Sequence, residues 1–140
     1  ARKNNLRSRL TLHNLIVQSV SEKLEDSGAE LFEMPFDCLA CFEEHGILVE
    51  VKSLDGSYED EVARVRDALS QLLYYESFVT SPLTKDRSVI KAACFESKIS
   101  DDHIQWLLSN NILVIWKQEE EFTGEQSSVD VLRHFMPIIS

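Results

Sequence analysis

The stretch "ILVEVKSLDG", residues 47–56, decides the reading. Ile47, Leu48, Val49 and Val51 describe a strand meant for burial, yet Glu50 and Lys52 place a carboxylate and an ammonium inside it. A charge in a buried strand is costly unless it is paired or bound to a metal. Residues two apart in a strand share a face. Glu50 and Lys52 therefore point to one side, roughly 7 Å apart along the backbone. Two charges so placed indicate a site.

Upstream lies a second apolar run, Phe36–Phe42, separated from the first by Glu43-Glu44-His45-Gly46. This is a hairpin pattern with a glycine-containing loop. A four-residue loop sets Phe42 opposite Ile47, Cys41 opposite Leu48, Leu39 opposite Glu50 and Asp37 opposite Lys52. Directly opposed residues point to the same side of a sheet. Asp37, Glu50 and Lys52 are thus expected to converge on one face. The other face, with Cys38, Ala40, Phe42, Ile47, Val49 and Val51, is expected to be the core. Two carboxylates and a lysine on one patch suit phosphodiester cleavage. Mg²⁺ accepts one or two carboxylates and keeps several waters. A bound divalent ion polarises a phosphate and acidifies water, and a lysine beside it stabilises developing negative charge. A salt-bridged pair on a solvated sheet face would show the same spacing.

Working outward, Leu12, Ile16, Val20 and Leu24 recur at a helical period and predict a helix over about 6–27, stopped by Gly28. A second helix is expected from Tyr58 to Phe78 through Val62, Val65, Leu69, Leu72 and Leu73, ended by Ser81-Pro82. Ser88–Phe95 reads as a strand, 100–110 as a short helix with Ser100 as N-cap, and Ile112–Trp116 as a buried strand. Residues 117–140 read as a polar loop, including the acidic run Glu119–Glu121, before a last helix near Val129–Phe135. The order α-β-β-α-β-α-β predicts one α/β domain over 1–140, a mixed central sheet flanked by helices.

The residues "PFD…ILVEVKS…QLLYYE" resemble the PD-(D/E)xK nuclease superfamily, which has the restriction-endonuclease-like fold. The later "SVIKAACFESKISDDHIQWLLSNNILVIW" fits that fold's closing strand-helix-strand, so the resemblance covers roughly 12–116. It implies a metal-dependent nuclease acting on nucleic acid, most plausibly DNA. By the resemblance, Asp37 and Glu50 match the metal ligands for Mg²⁺ or Mn²⁺, with the Val51 carbonyl as a further oxygen. Lys52 matches the catalytic lysine and Gln71 the polar helix residue. Glu22 is the candidate for the extra acidic residue that some members place near the metal, and His13 for a similar polar role. The proline of the motif is displaced one position, to Pro35 before Phe36. A structure-selective resolvase or repair nuclease shares this constellation, and a catalytically silent binding module would keep the fold without the chemistry.

The chain of 140 residues is 44% hydrophobic and 27% charged, ordinary for a globular domain. No apolar run approaches a membrane span, and three cysteines, Cys38, Cys41 and Cys94, argue for a reducing compartment over a disulfide framework. A cytoplasmic protein is expected. The absence of an initiator Met before Ala1 suggests processing or a domain cut from a longer chain. The formal net charge of −10 is unusual for a nucleic-acid binder. The basic cluster Arg2, Lys3, Arg7 and Arg9, read as an N-terminal arm over 1–10, or a basic partner domain or subunit, would have to attract phosphates. Cleavage of both strands would favour a homodimer.

At 100° per residue Arg64, Ala68, Gln71 and Tyr75 form one helical stripe, making Arg64 and Tyr75 candidate nucleic-acid contacts beside Arg7 and Arg9. Tyr74 and Tyr75 diverge, so one of them is expected in the core. "CLAC" at Cys38–Cys41 invites a zinc reading, but a spacing of three in a strand sends the thiols to opposite faces. Lys91 and Glu119–Glu121 read as solvated surface, and Trp106 and Trp116 as core.

Overall fold

The computed structural model describes residues 2–140, with side chains from residue 8 onward. Six strands form one sheet in the sequential order β1-β2-β3-β4-β5-β6. They are β1 (Glu30–Phe32), β2 (Cys38–Cys41), β3 (His45–Lys52), β4 (Ser88–Phe95), β5 (Ile112–Gln118) and β6 (Glu121–Gly124). The central β3, β4 and β5 run parallel, and the outer pairs are antiparallel. The helices are α1 (Arg2–Asp26), α2 (Tyr58–Phe78), α3 (Ser81–Thr84), α4 (Asp101–Ser109) and α5 (Gln126–Leu132). This is the mixed sheet flanked by helices expected of a restriction-endonuclease-like α/β core.

Both faces of the sheet are covered. On one, Ile16, Val20 and Leu24 of α1 and Leu132 of α5 pack on Ala40, Ile47, Val49, Val51 and Cys94. On the other, Val65, Ala68 and Leu72 of α2 and Ile104 and Leu107 of α4 pack on Leu39, Leu48, Ala93, Phe95 and Val114. Burying a side chain such as Leu72 contributes about 2 kcal/mol. The face bearing Glu50 is therefore a second core. The signal is present in the sequence, because Leu39, Cys41 and Leu48 fill the alternate positions too. Strands apolar on both faces are those covered on both sides.

α2 has the predicted bounds for local reasons. Ser57 caps it by accepting the Asp60 N–H at 3.2 Å, and Glu59, Asp60 and Glu61 occupy its first turn. It ends at Phe78, and the chain turns at once into α3 with Pro82 at its start. α1 already includes Arg2 and ends at Asp26 before Gly28, which takes φ 108°. The backbone of the N-terminal basic stretch, from Arg2 onward, thus belongs to this helix.

The hairpin is tighter than expected. Cys38 pairs with Val49, Leu39 with Leu48 and Ala40 with Ile47, and the Phe42 N–H donates to the His45 carbonyl at 2.8 Å. The loop is Glu43-Glu44 alone, and every pair is displaced by two residues from a four-residue loop. Because the side-chain period is two, this displacement preserves every face assignment. A displacement of one would have reversed them.

Three elements were not anticipated: β1, α3 and β6, the last beginning inside the acidic run at Glu121. α5 starts three residues before the expected position. Lys91 is buried, not solvated, and pairs with Glu76 at 2.9 Å. Trp106 is 40% exposed on α4 rather than in the core, whereas Trp116 packs against the α2–α4 core. Cys38 and Cys41 lie in opposite cores, as strand geometry requires.

Candidate active site

β2 ends its ladder at Cys38, while β3 continues through Glu50, Val51 and Lys52. Asp37 stands where the next rung would be. Its backbone N–H donates to Glu50 Oε1 at 3.1 Å, and its Oδ2 accepts the Val51 N–H at 2.8 Å. Side chains thus replace main-chain pairing, so both groups are satisfied. A residue's N–H and C=O point to the same side of a strand, which puts the Val51 carbonyl on the Asp37 side of β3. Lys52, next along the strand on the Glu50 face, donates from Nζ to Gln71 Oε1 on α2. Four of the predicted site residues, Asp37, Glu50, Lys52 and Gln71, are therefore brought together.

The electrostatics divide the two carboxyl groups. Glu50 is only 3% exposed, and burial, followed by hydrogen bonding and repulsion from Asp37, holds its pKa far above the ordinary range. Burial also works to raise Asp37, but hydrogen bonds from His13, Glu50 and the Val51 N–H outweigh it and lower the group. The His13 Nε2 lies 3.2 Å from Asp37 Oδ2, and this hydrogen bond raises the imidazole pKa despite partial burial. The two neighbouring carboxyl groups are thus driven in opposite directions, Glu50 upward by burial and Asp37 downward by its hydrogen bonds.

That donor set fits a divalent cation. Two hard carboxylates forced together in a dry place, with a main-chain carbonyl to one side, have their repulsion relieved by a +2 charge as well as by a proton. Among the described residues no group of three or more His, Cys, Asp and Glu side chains is gathered as a metal cluster. Oxygen donors of this kind, two carboxylates and a main-chain carbonyl, are those that hard ions such as Mg²⁺ accept.

Beside the carboxylates a cleft of about 330 Å³ is lined by Arg9, His13, Val51, Lys52, Ser53 and Arg64. Arg9 forks onto Asp60 at 3.0 and 3.1 Å and reaches Ser53 at 3.4 Å. Arg64 pairs with Asp67 at 3.1 Å and approaches Asp60 at 3.9 Å. Both arginines thus border the site while held by acids of α2. Tyr75 is half-buried edge-on to Phe36, with ring centroids 6.1 Å apart. Burial, then the charges of Glu50 and Asp37, raise its hydroxyl pKa. The side chain of Arg7 lies outside the described residues.

Glu22 is not part of this assembly. It is exposed, accepts a 3.0 Å hydrogen bond from Gln18, and borders a separate groove with Ser21, Glu25 and Leu31. Helical geometry explains the difference. His13 continues the buried stripe of Ile16, Val20 and Leu24 toward the sheet, whereas Glu22 is about 200° round the helix from Val20. That stripe is the signal that could have set His13 apart from Glu22.

The class defined by this fold is a mixed six-stranded α/β sheet with helices on both faces. Solved structures share it. The chain matches an XisH family protein from Nostoc punctiforme with a TM-score of 0.52 and 17% identity, over 78% of this chain and 92% of that one. It matches an fdxN element excision controlling factor protein from Anabaena variabilis with a TM-score of 0.53 and 18% identity, over 79% and 92%. At such identities the likeness establishes the fold. No protein-family model matches the chain, and no curated protein matches it in sequence.

Proposed function

We propose that this protein is a metal-dependent nuclease that hydrolyses phosphodiester bonds in DNA. The observation that carries this reading is the meeting of Asp37, Glu50, Lys52 and Gln71 where β2 ends and β3 runs on. Asp37 and Glu50, with the Val51 carbonyl, would hold Mg²⁺ or Mn²⁺. The ion would supply charge neutralisation at the phosphate and acidify water. Lys52, fixed by Gln71, stabilises negative charge developing on the phosphate and orients the attacking water. His13 keeps Asp37 ionised and in place. Arg9 and Arg64 flank the cleft where a phosphate strand would lie. A DNA substrate agrees with the name of one structural neighbour, a controlling factor for excision of the fdxN element.

The test is incubation with Mg²⁺ or Mn²⁺ and a panel of supercoiled plasmid, linear duplex, single strands, a four-way junction and RNA. Cleavage of a DNA member, abolished by chelator and by Lys52→Ala, is the expected result. Absence of cleavage throughout, with no Asp37- and Glu50-dependent thermal shift on adding Mn²⁺, would identify a silent module of the same fold.

A further inference from the structure

Beyond Gln71, the outer side of α2 turns aromatic. Tyr74 is 58% exposed and Phe78 is 73% exposed, and their ring centroids are 4.9 Å apart. They are four residues apart and so stack along one helix face. Tyr74, Tyr75, Ser70 and Gln71 together line an open pocket of about 380 Å³. Gln71 belongs both to this pocket and to the hydrogen bond with Lys52. At 1.5 Å rise per residue, Tyr74 lies about 4.5 Å and Phe78 about 10 Å along the helix axis from Gln71. The rings therefore begin within one helical turn of Gln71, the residue that holds Lys52.

Their surroundings say what they would bind. The chain carries a formal net charge of −10, and Arg9 and Arg64 at the cleft already have acidic partners. Phosphate attraction, which normally supplies most affinity for nucleic acid, is opposed here by the net negative charge. Stacking of a base on an aromatic ring does not depend on protein charge and is sequence-tolerant. Two exposed rings fall well short of the roughly 20–30 residues a side of a stable protein interface. They match the size of one or two bases. In a duplex the base faces are occupied by their neighbours, so only unpaired bases have faces to offer.

We propose that Tyr74 and Phe78 form a stacking shelf for unpaired nucleotide bases next to the scissile phosphate, so that the strand cut is single-stranded or locally opened. This rests on the nuclease reading of the neighbouring site. The rings supply affinity that the acidic surface withholds, and they set the strand's approach to Lys52.

Fluorescence anisotropy with labelled oligothymidylate, its uridylate counterpart and a duplex, on the full chain in chelator, tests the shelf without cleavage. The variants are Tyr74→Ala/Phe78→Ala, Tyr74→Leu/Phe78→Leu and Tyr74→Phe; both side chains are exposed, and circular dichroism checks folding. Single-strand binding should weaken at least tenfold in the alanine and leucine pairs and persist in Tyr74→Phe, with weaker duplex binding unaltered. Preference for the thymidylate or uridylate strand would assign the shelf to DNA or RNA. No single-strand binding by wild type, unchanged binding by the leucine pair, or loss of self-association alone in the alanine pair would overturn the shelf. Mg²⁺-dependent cleavage is measured alongside. Ring-independent but Lys52-dependent cleavage would sink the shelf and keep the nuclease, whereas ring-dependent binding without cleavage would do the reverse.

Discussion

The Lys52 ammonium donates to the Gln71 side-chain carbonyl across the contact between β3 and α2. The ammonium is thereby held in one rotamer on the Glu50 face, where its charge acts on the Glu50 carboxyl. Preorganised charge of this kind needs no rearrangement as negative charge develops on a phosphate.

The two residues should therefore be separable by rate. Lys52→Ala is expected to lower the cleavage rate by about a hundredfold to a thousandfold, the range for losing one preorganised charge-stabilising group. Gln71→Ala keeps the ammonium but frees it to wander, and should cost about tenfold. Single-turnover rates at saturating metal check this, with melting temperatures of both variants close to wild type.

Glu50 carries a stability cost of its own. Its folded pKa is raised by burial and by Asp37, so the folded state keeps a proton that the unfolded chain releases above its ordinary value of 4.5. The group's contribution is fully present below that value and is lost as pH rises through the folded pKa. Without metal, stability should thus decline toward alkaline pH. Glu50→Gln, which is neutral at every pH, is expected to flatten that decline and melt a few degrees higher than wild type at pH 8 in chelator while losing cleavage. A variant that melts lower at pH 8 would show that the carboxyl is not proton-bound.

Glu61 acts in the opposite direction. It accepts the Ser100 N–H at 3.1 Å and the Ser100 hydroxyl at 2.6 Å, and lies 2.5 Å from the His103 Nδ1, tying the start of α2 to the start of α4. Burial raises its pKa, but these hydrogen bonds prevail and lower it. A depressed carboxylate contributes stability present above the unfolded value and lost as pH falls through the folded one. Urea midpoints should fall from pH 5 toward pH 3, and Glu61→Gln should flatten that limb.

Gly124, in β6, packs against β5 so closely that an added Cβ would lie 2.5 Å from the Val114 carbonyl and 2.9 Å from the Ile115 Cα. These are backbone atoms that cannot swing away. Gly124→Ala is expected to destabilise by about 2–3 kcal/mol, within the range for overpacking, read as a shifted urea midpoint with an unchanged slope.

What the sequence made legible, and what it hid, follows from length and period. α2 and β4 have the predicted bounds because each has a long apolar pattern and clear punctuation at its ends. β1 has three residues, Glu30–Phe32, too few to show a period. β6 hides in an acidic run, anchored by Phe122, which is fully buried. The grouping of Asp37, Glu50 and Lys52 survived a wrong loop length because the displacement was even. Glu22 was misplaced because a motif match says nothing about which side of a helix a residue occupies, and His13 was better marked by its line with Ile16 and Val20.

The substitution of side chains for the missing rung beyond Cys38 bears on how such a chain would change over generations. Asp37 is tied to β3 twice, its N–H to the Glu50 carboxyl and its own carboxyl to the Val51 backbone N–H. Because the second tie goes with the side chain, a replacement there disturbs the sheet as well as any reaction. Lys52 and Gln71 hold chiefly each other. A lineage released from selection for cleavage would be expected to lose the lysine and glutamine first and the aspartate last. A descendant could keep the whole architecture, Asp37 included, long after the chemistry had gone.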